Sequence, residues 1–141
     1  MNLIKLQEFI KNLTNDGIIR RVDELGRVVI PVEYRKENFK QGEEVYVFRI
    51  EDYIILSKSN PNNTALIKKI DEVGRVVIKK EYRTDLDWNE KDAISVWSFE
   101  DFIVMKKYEE KCVFCKTTLK LTEFKEKLIC DDCKEELIKA S

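Results

Sequence analysis

Four cysteines have the residue type and the spacing that most clearly indicate chemistry in this chain. Cys112 and Cys115 form one C-x2-C pair, Cys130 and Cys133 form a second, and fourteen residues separate the pairs. Each pair can supply two ligands of a tetrahedral tetrathiolate site, so the spacing predicts one structural zinc ion per chain. Protein thiols would fill all four positions and leave none open for catalysis. An iron–sulfur cluster or a redox dithiol is the alternative for the same residues.

A fifteen-residue passage that occurs twice is the second informative feature. The first copy, residues 21–35, is RVDELGRVVIPVEYR, and the second, residues 69–83, is KIDEVGRVVIKKEYR, with 10 of 15 positions identical. The repeat places the same arginines twice on equivalent scaffolds. Such an arrangement suits a ligand with regularly spaced charges, and duplex DNA is the commonest ligand of that kind.

The net charge of −1 means that the chain as a whole is not a polycation. A nucleic-acid ligand would therefore require the basic residues to be sorted onto one face. Residues 18–36 show such sorting, with five basic residues against the three acidic residues Asp23, Glu24 and Glu33. The alternative is that these are ordinary solvated charges paired with those three acids.

Several functional classes are excluded by composition. The chain has no histidine, which excludes Ser-His-Asp and Cys-His centres and every histidine-ligated metal site. It also lacks a nucleophile elbow and a phosphate loop, so we do not expect an enzyme. No apolar run approaches the roughly 20 residues needed to span a bilayer, and the N-terminus has no secretory core. We therefore expect a cytoplasmic protein with reduced thiols and no membrane association.

The order of predicted elements divides the chain into five segments. Residues 1–16 show the apolar spacing of an amphipathic helix, expected to pack on the first module or, alternatively, to form a dimer contact. Residues 17–58 and 66–108 each predict the order strand, strand, short helix, strand, strand, and the turn-rich residues 59–65 link them. Residues 109–141 contain the cysteines, few strand signals and a predicted helix over 131–140.

Within each repeat, specific residues fix the local predictions. Asp23 and Asp71 are expected to accept backbone N–H bonds in the turns that precede Arg27 and Arg75. Pro31 suits the first position of a short helix over residues 32–38. Trp88 and Trp97 lie among apolar neighbours and are expected in the core, with base stacking as the alternative.

Four short strands around one helix cannot close a core, but two such units can close one if they interleave. The sequence leaves open whether the two copies pair within one chain or between two chains. Pairing within the chain as a pseudo-dimer is favoured because the linker is long enough, and a further homodimer would be compatible with it. The predicted fold class is mainly β with short helices (α+β).

At the repeated passage, the chain resembles the AbrB-type swapped-hairpin family of bacterial transition-state regulators. The resemblance covers residues 17–108 through RRVDELGRVVIPVEYRK, GEEVYV and YIILSK in the first copy. In the second copy it continues through KKIDEVGRVVIKKEYRT, WNEKDAISV and IVMKKY. It implies two tandem β-barrel-like repeats with interleaved hairpins. It also implies binding to double-stranded DNA by a nucleoid-associated bacterial repressor, with little strict sequence preference and a leaning toward AT-rich or flexible DNA.

The same resemblance implies which basic residues face DNA. In each repeat these are the two residues before the aspartate turn, the arginine that follows the glycine of that turn, and the residues at the short helix. Carried over, these are Arg20, Arg21, Arg27, Arg35, Lys36, Lys68, Lys69, Arg75 and Arg83. Two positions depart from the pattern. Thr84 replaces an expected basic residue, so that contact is expected to be lost. Lys79 replaces the proline and is expected to loosen the start of the helix while adding a charge.

The cysteine segment resembles the zinc module of the ClpX unfoldase, which implies a small zinc-ribbon or treble-clef-like module. Its lysines, among them Lys111, Lys116 and Lys120, could contact DNA, or the module could bind a protein partner. The second possibility gives the alternative function. Antitoxins of the MazE type have a related fold and act on a protein partner, although through a disordered acidic tail rather than a zinc module.

Overall fold

A computed structural model of the chain describes residues 3–61 and 65–140, which form a mainly β fold with three short helices. The chain divides into two compact units, residues 1–108 and residues 109–141, which we describe separately. Part of the predicted linker, Asn62 to Thr64, lies outside the described residues, as do Met1, Asn2 and Ser141. Among the described residues, no helix is both long and apolar enough to cross a lipid bilayer.

Unit 1 contains eight strands, two helices and one short 3-10 turn within its described part. The strands are β1 (Ile18–Arg21), β2 (Arg27–Val29), β3 (Glu44–Ile50), β4 (Tyr53–Ser57), β5 (Leu66–Lys69), β6 (Arg75–Val77), β7 (Ala93–Phe99) and β8 (Phe102–Lys107). The helices are α1 (Leu3–Lys11) and α2 (Lys80–Asp85), and the 3-10 turn spans Val32–Tyr34. The predicted strand order of both repeats is confirmed, with bounds that differ by one or two residues.

The two repeats interleave within the single chain. The six-stranded antiparallel sheet has the order β1-β7-β8-β4-β3-β5, so β1 of the first repeat pairs with β7 of the second. The reciprocal pair is β5 with β3, and the two hairpins join through β4 and β8. Strands β2 and β6, one from each repeat, form a separate antiparallel ribbon. The pairing that the sequence left open is therefore within one chain in this structure.

The main core lies between this ribbon and one face of the large sheet. Val28 and Val76 are fully buried on the inner side of the ribbon, and Ile54, Ile94 and Met105 are fully buried in the same cluster. Alternation along each strand directs every second side chain to this face, as expected for residues that are half buried in a sheet. Neither repeat closes this cluster alone, because residues of both copies contribute to it.

Helix α1 covers the opposite face of the large sheet. Its fully buried Leu6 belongs to a cluster that includes Phe48 and Ile55 of the first repeat and Trp97 and Val104 of the second. The prediction that this helix packs on the first module is therefore confirmed, and the helix also contacts strands of the second. It is also shorter than predicted, since it ends at Lys11 rather than residue 16. The polar residues that follow favour turns and caps over helix interior.

The segment just after the helix anchors a tryptophan. The indole nitrogen of Trp97 donates to the backbone oxygen of Asn15 at 3.2 Å and to its side-chain oxygen at 3.0 Å. Trp97 is 8% exposed and Trp88 is 2% exposed, which confirms both as core residues. Neither side chain is available for base stacking.

The short helices of the two repeats differ in a way the sequence analysis did not predict. The first copy forms only the 3-10 turn instead of a helix over residues 32–38, and the second forms the longer α2. Pro31 precedes its turn with φ −51° and ψ 139°, and Lys79 precedes α2 with φ −51° and ψ 134°. Lys79 thus adopts the conformation that proline fixes, so the expected loosening of the helix start was wrong.

Unit 2 contains a β-hairpin followed by a helix. The elements are β9 (Leu121–Phe124), β10 (Lys127–Cys130) and α3 (Asp131–Ala140). The helix confirms the prediction over residues 131–140, whereas the hairpin was missed. Its two-residue turn consists of Lys125 and Glu126, both with positive φ (50° and 67°), a conformation usually adopted by glycine or asparagine.

Candidate functional site

The β2/β6 ribbon sets two of the predicted arginines on one surface. In its register Arg27 lies opposite Val77, and Arg75 lies opposite Val29, while Val28 and Val76 face each other at the centre. Because alternate side chains point to opposite faces, Arg27 and Arg75 share the face opposite the buried valines. Burial agrees, since Arg27 and Arg75 are partly exposed and the central valines are fully buried.

Each of these arginines is held by the aspartate of the turn that precedes it. Asp23 accepts bonds from the Arg27 backbone nitrogen at 2.8 Å, the Leu25 nitrogen at 3.0 Å and the Arg27 Nε at 2.7 Å. Asp71 repeats this set with Arg75 N at 2.7 Å, Val73 N at 3.1 Å and Arg75 Nε at 2.6 Å. The predicted structural role of the two aspartates is confirmed.

These bonds also set the ionisation of the two carboxyls. Burial alone would raise the pKa of Asp23, but the backbone and side-chain bonds from Arg27 and the Leu25 N–H outweigh it and lower that pKa. The pKa of Asp71 is lowered by the equivalent balance with Arg75 and Val73. Both carboxyls are therefore ionised at neutral pH and keep their arginines oriented.

The two halves of the ribbon are also joined across the repeats. Arg75 Nη1 lies 4.0 Å from Asp23 Oδ2, so one carboxylate borders both arginines. Two backbone hydrogen bonds also join the repeats. Ile30 N donates to Gly74 O at 2.8 Å, and Ile78 N donates to Gly26 O at 2.9 Å. Arg75 thus lies beside carboxylates of both copies, and the backbone bonds tie the two turns to each other's strands.

Arg35 and Arg83 join this surface in a tighter environment than the sequence analysis implied. Arg35 Nε donates to Ile30 O at 2.8 Å, and Arg83 Nε donates to Ile78 O at 2.9 Å. The guanidinium of Arg83 lies against Gly26 of the first repeat, and that of Arg35 lies against Gly74 of the second, so close that a methyl group on either glycine would overlap it. We define these four residues, Arg27, Arg35, Arg75 and Arg83, as the arginine belt.

The remaining predicted residues lie at the strands and turns that flank the belt. Arg20 Nη1 donates to Ile19 O at 2.9 Å, and Arg21 Nη1 donates to Lys91 O at 3.0 Å. Burial and the charge of Glu33 raise the pKa of Tyr34 in the 3-10 turn. The charge of Arg20 acts in the opposite direction, because Arg20 lies near this turn. Lys36 and Lys69 are exposed, and Lys68 is half buried. Thr84 is exposed at the position equivalent to Lys36.

Apolar side chains beside the belt were missed by the sequence analysis. Leu25 is 61% exposed and Val73 is 53% exposed, each at the tip of its aspartate turn, and Val77 is exposed on the ribbon. The only sequence signal for them was an apolar residue inside a polar turn. They add apolar contact area to a surface that is otherwise charged.

The four cysteines converge in unit 2. Their sulfur atoms all lie within 4.8 Å of one another, and the Sγ atoms of Cys115 and Cys130 are 3.6 Å apart. A tetrahedral ion with metal–sulfur bonds of about 2.3 Å separates its ligands by roughly 3.8 Å, so the spacing fits one metal ion. None of the four is in a disulfide.

The elements around the cysteines have the order of a treble clef. Cys112 and Cys115 lie in a turn whose chain reverses at Lys116 (φ 68°), with Lys116 N donating to Cys112 O at 3.1 Å. Cys130 ends β10, and Cys133 lies in the first turn of α3, with its N–H donating to Cys130 Sγ at 3.4 Å. The predicted clustering of the four cysteines in a small C-terminal module is confirmed, whereas the hairpin between the two pairs was not foreseen.

The electrostatics of the cluster favour a thiolate ligand. Burial would raise the pKa of Cys112, but N–H groups of Cys115, Cys130 and Phe114 outweigh it and lower that pKa to about 6. The pKa of Cys133 is raised instead, mainly by its contact with Cys130, since closely packed thiols do not all ionise without a cation. A soft divalent cation supplies the positive charge that four converging sulfurs need.

Comparison with known proteins supports the sequence resemblance. Residues 19–64 match the family described as antidote-toxin recognition MazE, bacterial antitoxin. The chain is 41% identical over 51 residues to the transition state regulatory protein AbrB of Bacillus subtilis, an alignment that covers 36% of this chain. The chain spans about half (53%) of the length of that relative. The resemblance to AbrB-type proteins is therefore confirmed, with the family match limited to residues 19–64.

A solution structure of PHS018 from Pyrococcus horikoshii is also similar. It shares 19% sequence identity with this chain at a TM-score of 0.37, over 64% of this chain and 86% of that one.

Proposed function

We propose that this chain, which has an AbrB/MazE-type domain over residues 19–64, is a transcriptional regulator of the AbrB type that binds duplex DNA. The observation that supports this most directly is the arginine belt. Four guanidinium groups from both repeats meet around one two-stranded ribbon, and two of them are fixed by carboxylates whose own hydrogen bonds are satisfied. We assign the function to an AbrB-type regulator rather than to an enzyme.

The belt would contact DNA mainly through phosphates. Arg27 and Arg75 use Nε for their aspartates, which leaves the terminal nitrogens as donors for a phosphate oxygen or a guanine edge. Arg35 and Arg83 use Nε for backbone oxygens in the same way. Pre-positioned guanidinium groups lose little side-chain entropy on binding, so each contact retains more of its electrostatic free energy.

The flanking residues would extend this surface along the DNA backbone. They are Arg20, Arg21 and Lys36 in the first repeat and Lys68 and Lys69 in the second. We propose residues 17–58 and 66–108 as the two DNA-binding repeats, with residues 59–65 as their linker. Binding near a promoter would exclude other proteins, which makes repression the proposed mode of regulation, in the bacterial cytoplasm at the nucleoid.

Unit 2 would hold one structural zinc ion. Cys112, Cys115, Cys130 and Cys133 fit a tetrahedral tetrathiolate site, and the ion would supply the cross-link that a 33-residue unit needs to stay folded. Among the described residues of this unit, Cys112, Ile129 and Cys130 are buried, and three buried side chains alone make too small a core to stabilise it. We propose residues 109–141 as this zinc module.

Fluorescence anisotropy of the zinc-loaded protein with an AT-rich and a GC-rich duplex tests the DNA-binding function. A series of salt concentrations should show tight binding with a steep slope of log affinity against log salt. The difference between the two duplexes measures how much sequence contributes. Absence of binding to both duplexes at low salt would contradict the proposal.

A second candidate function is binding of a protein partner through the zinc module, as a MazE-type antitoxin-like protein. A groove of about 440 Å³ on unit 2 favours it, because its lining is mostly apolar and includes Phe124, Ile129 and Leu137. Phe124 is 65% exposed and Leu137 is 52% exposed. Co-purification of a small toxin with the wild type, but not with Leu137→Asp, would support this function.

A further inference from the structure

The two repeats are related by an internal pseudo-twofold axis that passes through the ribbon. Val28 pairs with Val76 at its centre, and the bond between the aspartate and the arginine of each turn has an equivalent in the other copy. The bond from Ile30 N to Gly74 O is matched by the bond from Ile78 N to Gly26 O. The arginine belt is therefore almost symmetric.

The residues that flank the belt are not symmetric. At the two positions before the turn, the first repeat has Arg20 and Arg21 and the second has Lys68 and Lys69. At the short helix, Lys36 of the first repeat is replaced by Thr84 in the second. The second repeat has Lys79 in place of Pro31, and its ammonium lies 3.2 Å from Glu81 and 5.7 Å from the Tyr82 ring centroid.

The two sets of flanking cations also differ in how they are held. Arg20 and Arg21 each donate Nη1 to a backbone oxygen, at 2.9 Å and 3.0 Å, which fixes the plane of the guanidinium. In the part of the chain that the structure describes, the side chains of Lys68 and Lys69 make no hydrogen bond or ion pair, while their backbones pair with β3. In the register, Arg20 and Lys68 lie opposite the core residues Ile94 and Val45 and share the ribbon side of the sheet, whereas Arg21 and Lys69 point to the other side. On the ribbon side, the first repeat thus presents a hydrogen-bonded guanidinium, and the second presents an ammonium without such a bond.

This difference has a consequence for DNA recognition. An oriented guanidinium can donate two parallel bonds to the O6 and N7 atoms of guanine, which distinguishes that base from others. A lysine ammonium is a compact point charge that mainly neutralises phosphate and adds affinity without comparable base discrimination. The first repeat is thus suited to reading bases, and the second to following the backbone.

Symmetry limits what a homodimer can recognise, because two identical halves favour a site with twofold sequence symmetry. Two unequal repeats in one chain have no such limit. We propose, on the basis of the DNA-binding function above, that this protein binds an asymmetric DNA site in one orientation, with Arg20, on the ribbon side of β1, as the specificity-determining residue and Lys68, at the equivalent place on β5, as a backbone anchor.

The test is selection of duplexes from a random library by the full, zinc-loaded chain, followed by anisotropy on the selected site. Two variants keep the charge unchanged and alter only the shape of the cation. Arg20→Lys with Arg21→Lys makes the first repeat resemble the second, and Lys68→Arg with Lys69→Arg makes the second resemble the first. Circular dichroism confirms that each variant is folded before selection.

The wild type should enrich a motif without twofold symmetry. The R20K/R21K variant should keep the salt slope of the wild type but lose at least about fivefold of its preference for the selected duplex over a mixed-sequence duplex. The K68R/K69R variant should enrich a motif in which the wild-type half-site appears twice, as an inverted repeat.

Three results would overturn the proposal while leaving the DNA-binding function in place. These are a palindromic motif for the wild type, salt-dependent binding with no enriched motif, and an R20K/R21K variant that selects the same motif as the wild type. Absence of binding to any duplex at low salt would instead overturn the proposed function itself, and this inference with it.

Discussion

The guanidinium of Arg83 in the second repeat lies directly against Gly26 in the turn of the first repeat, and Arg35 lies against Gly74 in the reciprocal contact. Each glycine precedes an arginine of the ribbon, Arg27 or Arg75. The turn that presents one repeat's arginine is therefore shaped by an arginine of the other. The belt forms only when the two repeats interleave, which couples the fold of unit 1 to its proposed DNA surface.

Replacing these glycines should destabilise unit 1. Gly26 has φ +76°, and an added methyl group would displace the Arg83 guanidinium and its bond to Ile78 O, so Gly26→Ala combines backbone strain with the loss of that contact. We expect a loss of about 2 to 3 kcal/mol in the free energy of unfolding. Urea denaturation monitored by tryptophan fluorescence measures it, since Trp88 and Trp97 both lie in unit 1.

Gly42→Ala is the matched control. Gly42 also has positive φ (+83°), but nothing lies within 4 Å of an added methyl group. We expect only the cost of the left-handed conformation, about 1 kcal/mol. Equal losses for Gly26→Ala and Gly42→Ala would contradict the role of the Arg83 contact.

The aspartate turns should make the stability of unit 1 depend on pH in the acid range. The pKa values of Asp23 and Asp71 are lowered in the folded protein, so their contribution is present above the ordinary value of 3.8 and is lost as pH falls through the lower folded values. At pH 7 we expect each turn to contribute roughly 1 to 2 kcal/mol. Urea midpoints measured between pH 7 and pH 2.5 test this.

The variant Asp23→Asn with Asp71→Asn should be less stable at pH 7 and should show a weaker decline in acid. The control is Glu24→Gln with Glu72→Gln, which neutralises two exposed acids in the same turns. The control should keep the wild-type pH profile. The account of the turns fails if both double variants have the same profile.

Removal of metal should unfold unit 2 and spare unit 1. A strong chelator, or Cys112→Ser with Cys133→Ser, removes the cross-link on which the small core of unit 2 depends. We expect loss of the α3 helical signal in circular dichroism, with zinc content falling from one ion per chain to none. The melting temperature followed by Trp88 and Trp97 fluorescence should stay within a few degrees of that of the untreated wild type, because the cores around both residues consist of unit 1 residues. Unchanged α3 helicity after chelation would contradict the structural role of the metal.

Truncation of Leu6 should show that α1 is part of the fold of unit 1. Leu6 is fully buried against strands of both repeats, so Leu6→Ala should lower the free energy of unfolding by about 2 to 5 kcal/mol. Ile4 lies on the same helix but is 72% exposed, and Ile4→Ala should change the free energy of unfolding by less than about 0.5 kcal/mol. Denaturant titration compares the two, and similar values would mean that α1 does not cover the sheet in solution.

The sequence predicted the local elements of this protein better than their partners. The strand order of both repeats and the aspartate turns were predicted correctly, because these features depend on near neighbours. The contact between Arg83 and Gly26 joins residues far apart in the chain, and no local pattern encodes it. The missed hairpin has Lys125 and Glu126 in its turn, residues that rarely adopt positive φ. The packing of α1 on the second repeat also escaped prediction, because it depends on a sheet that both repeats build.

The proposed function depends on contacts of Arg27 and Arg75 with the DNA backbone. The most direct measurement is fluorescence anisotropy of Arg27→Ala with Arg75→Ala on a duplex across a salt series. If each arginine contacts one phosphate, the slope of log affinity against log salt should flatten by about 1.8, or about 0.9 for each lost contact. The control is Lys11→Ala with Lys106→Ala. These two lysines line a groove beside α1, which covers the sheet face opposite the ribbon, so this variant should keep the wild-type slope. Unchanged affinity and slope in the folded arginine variant would contradict the claim.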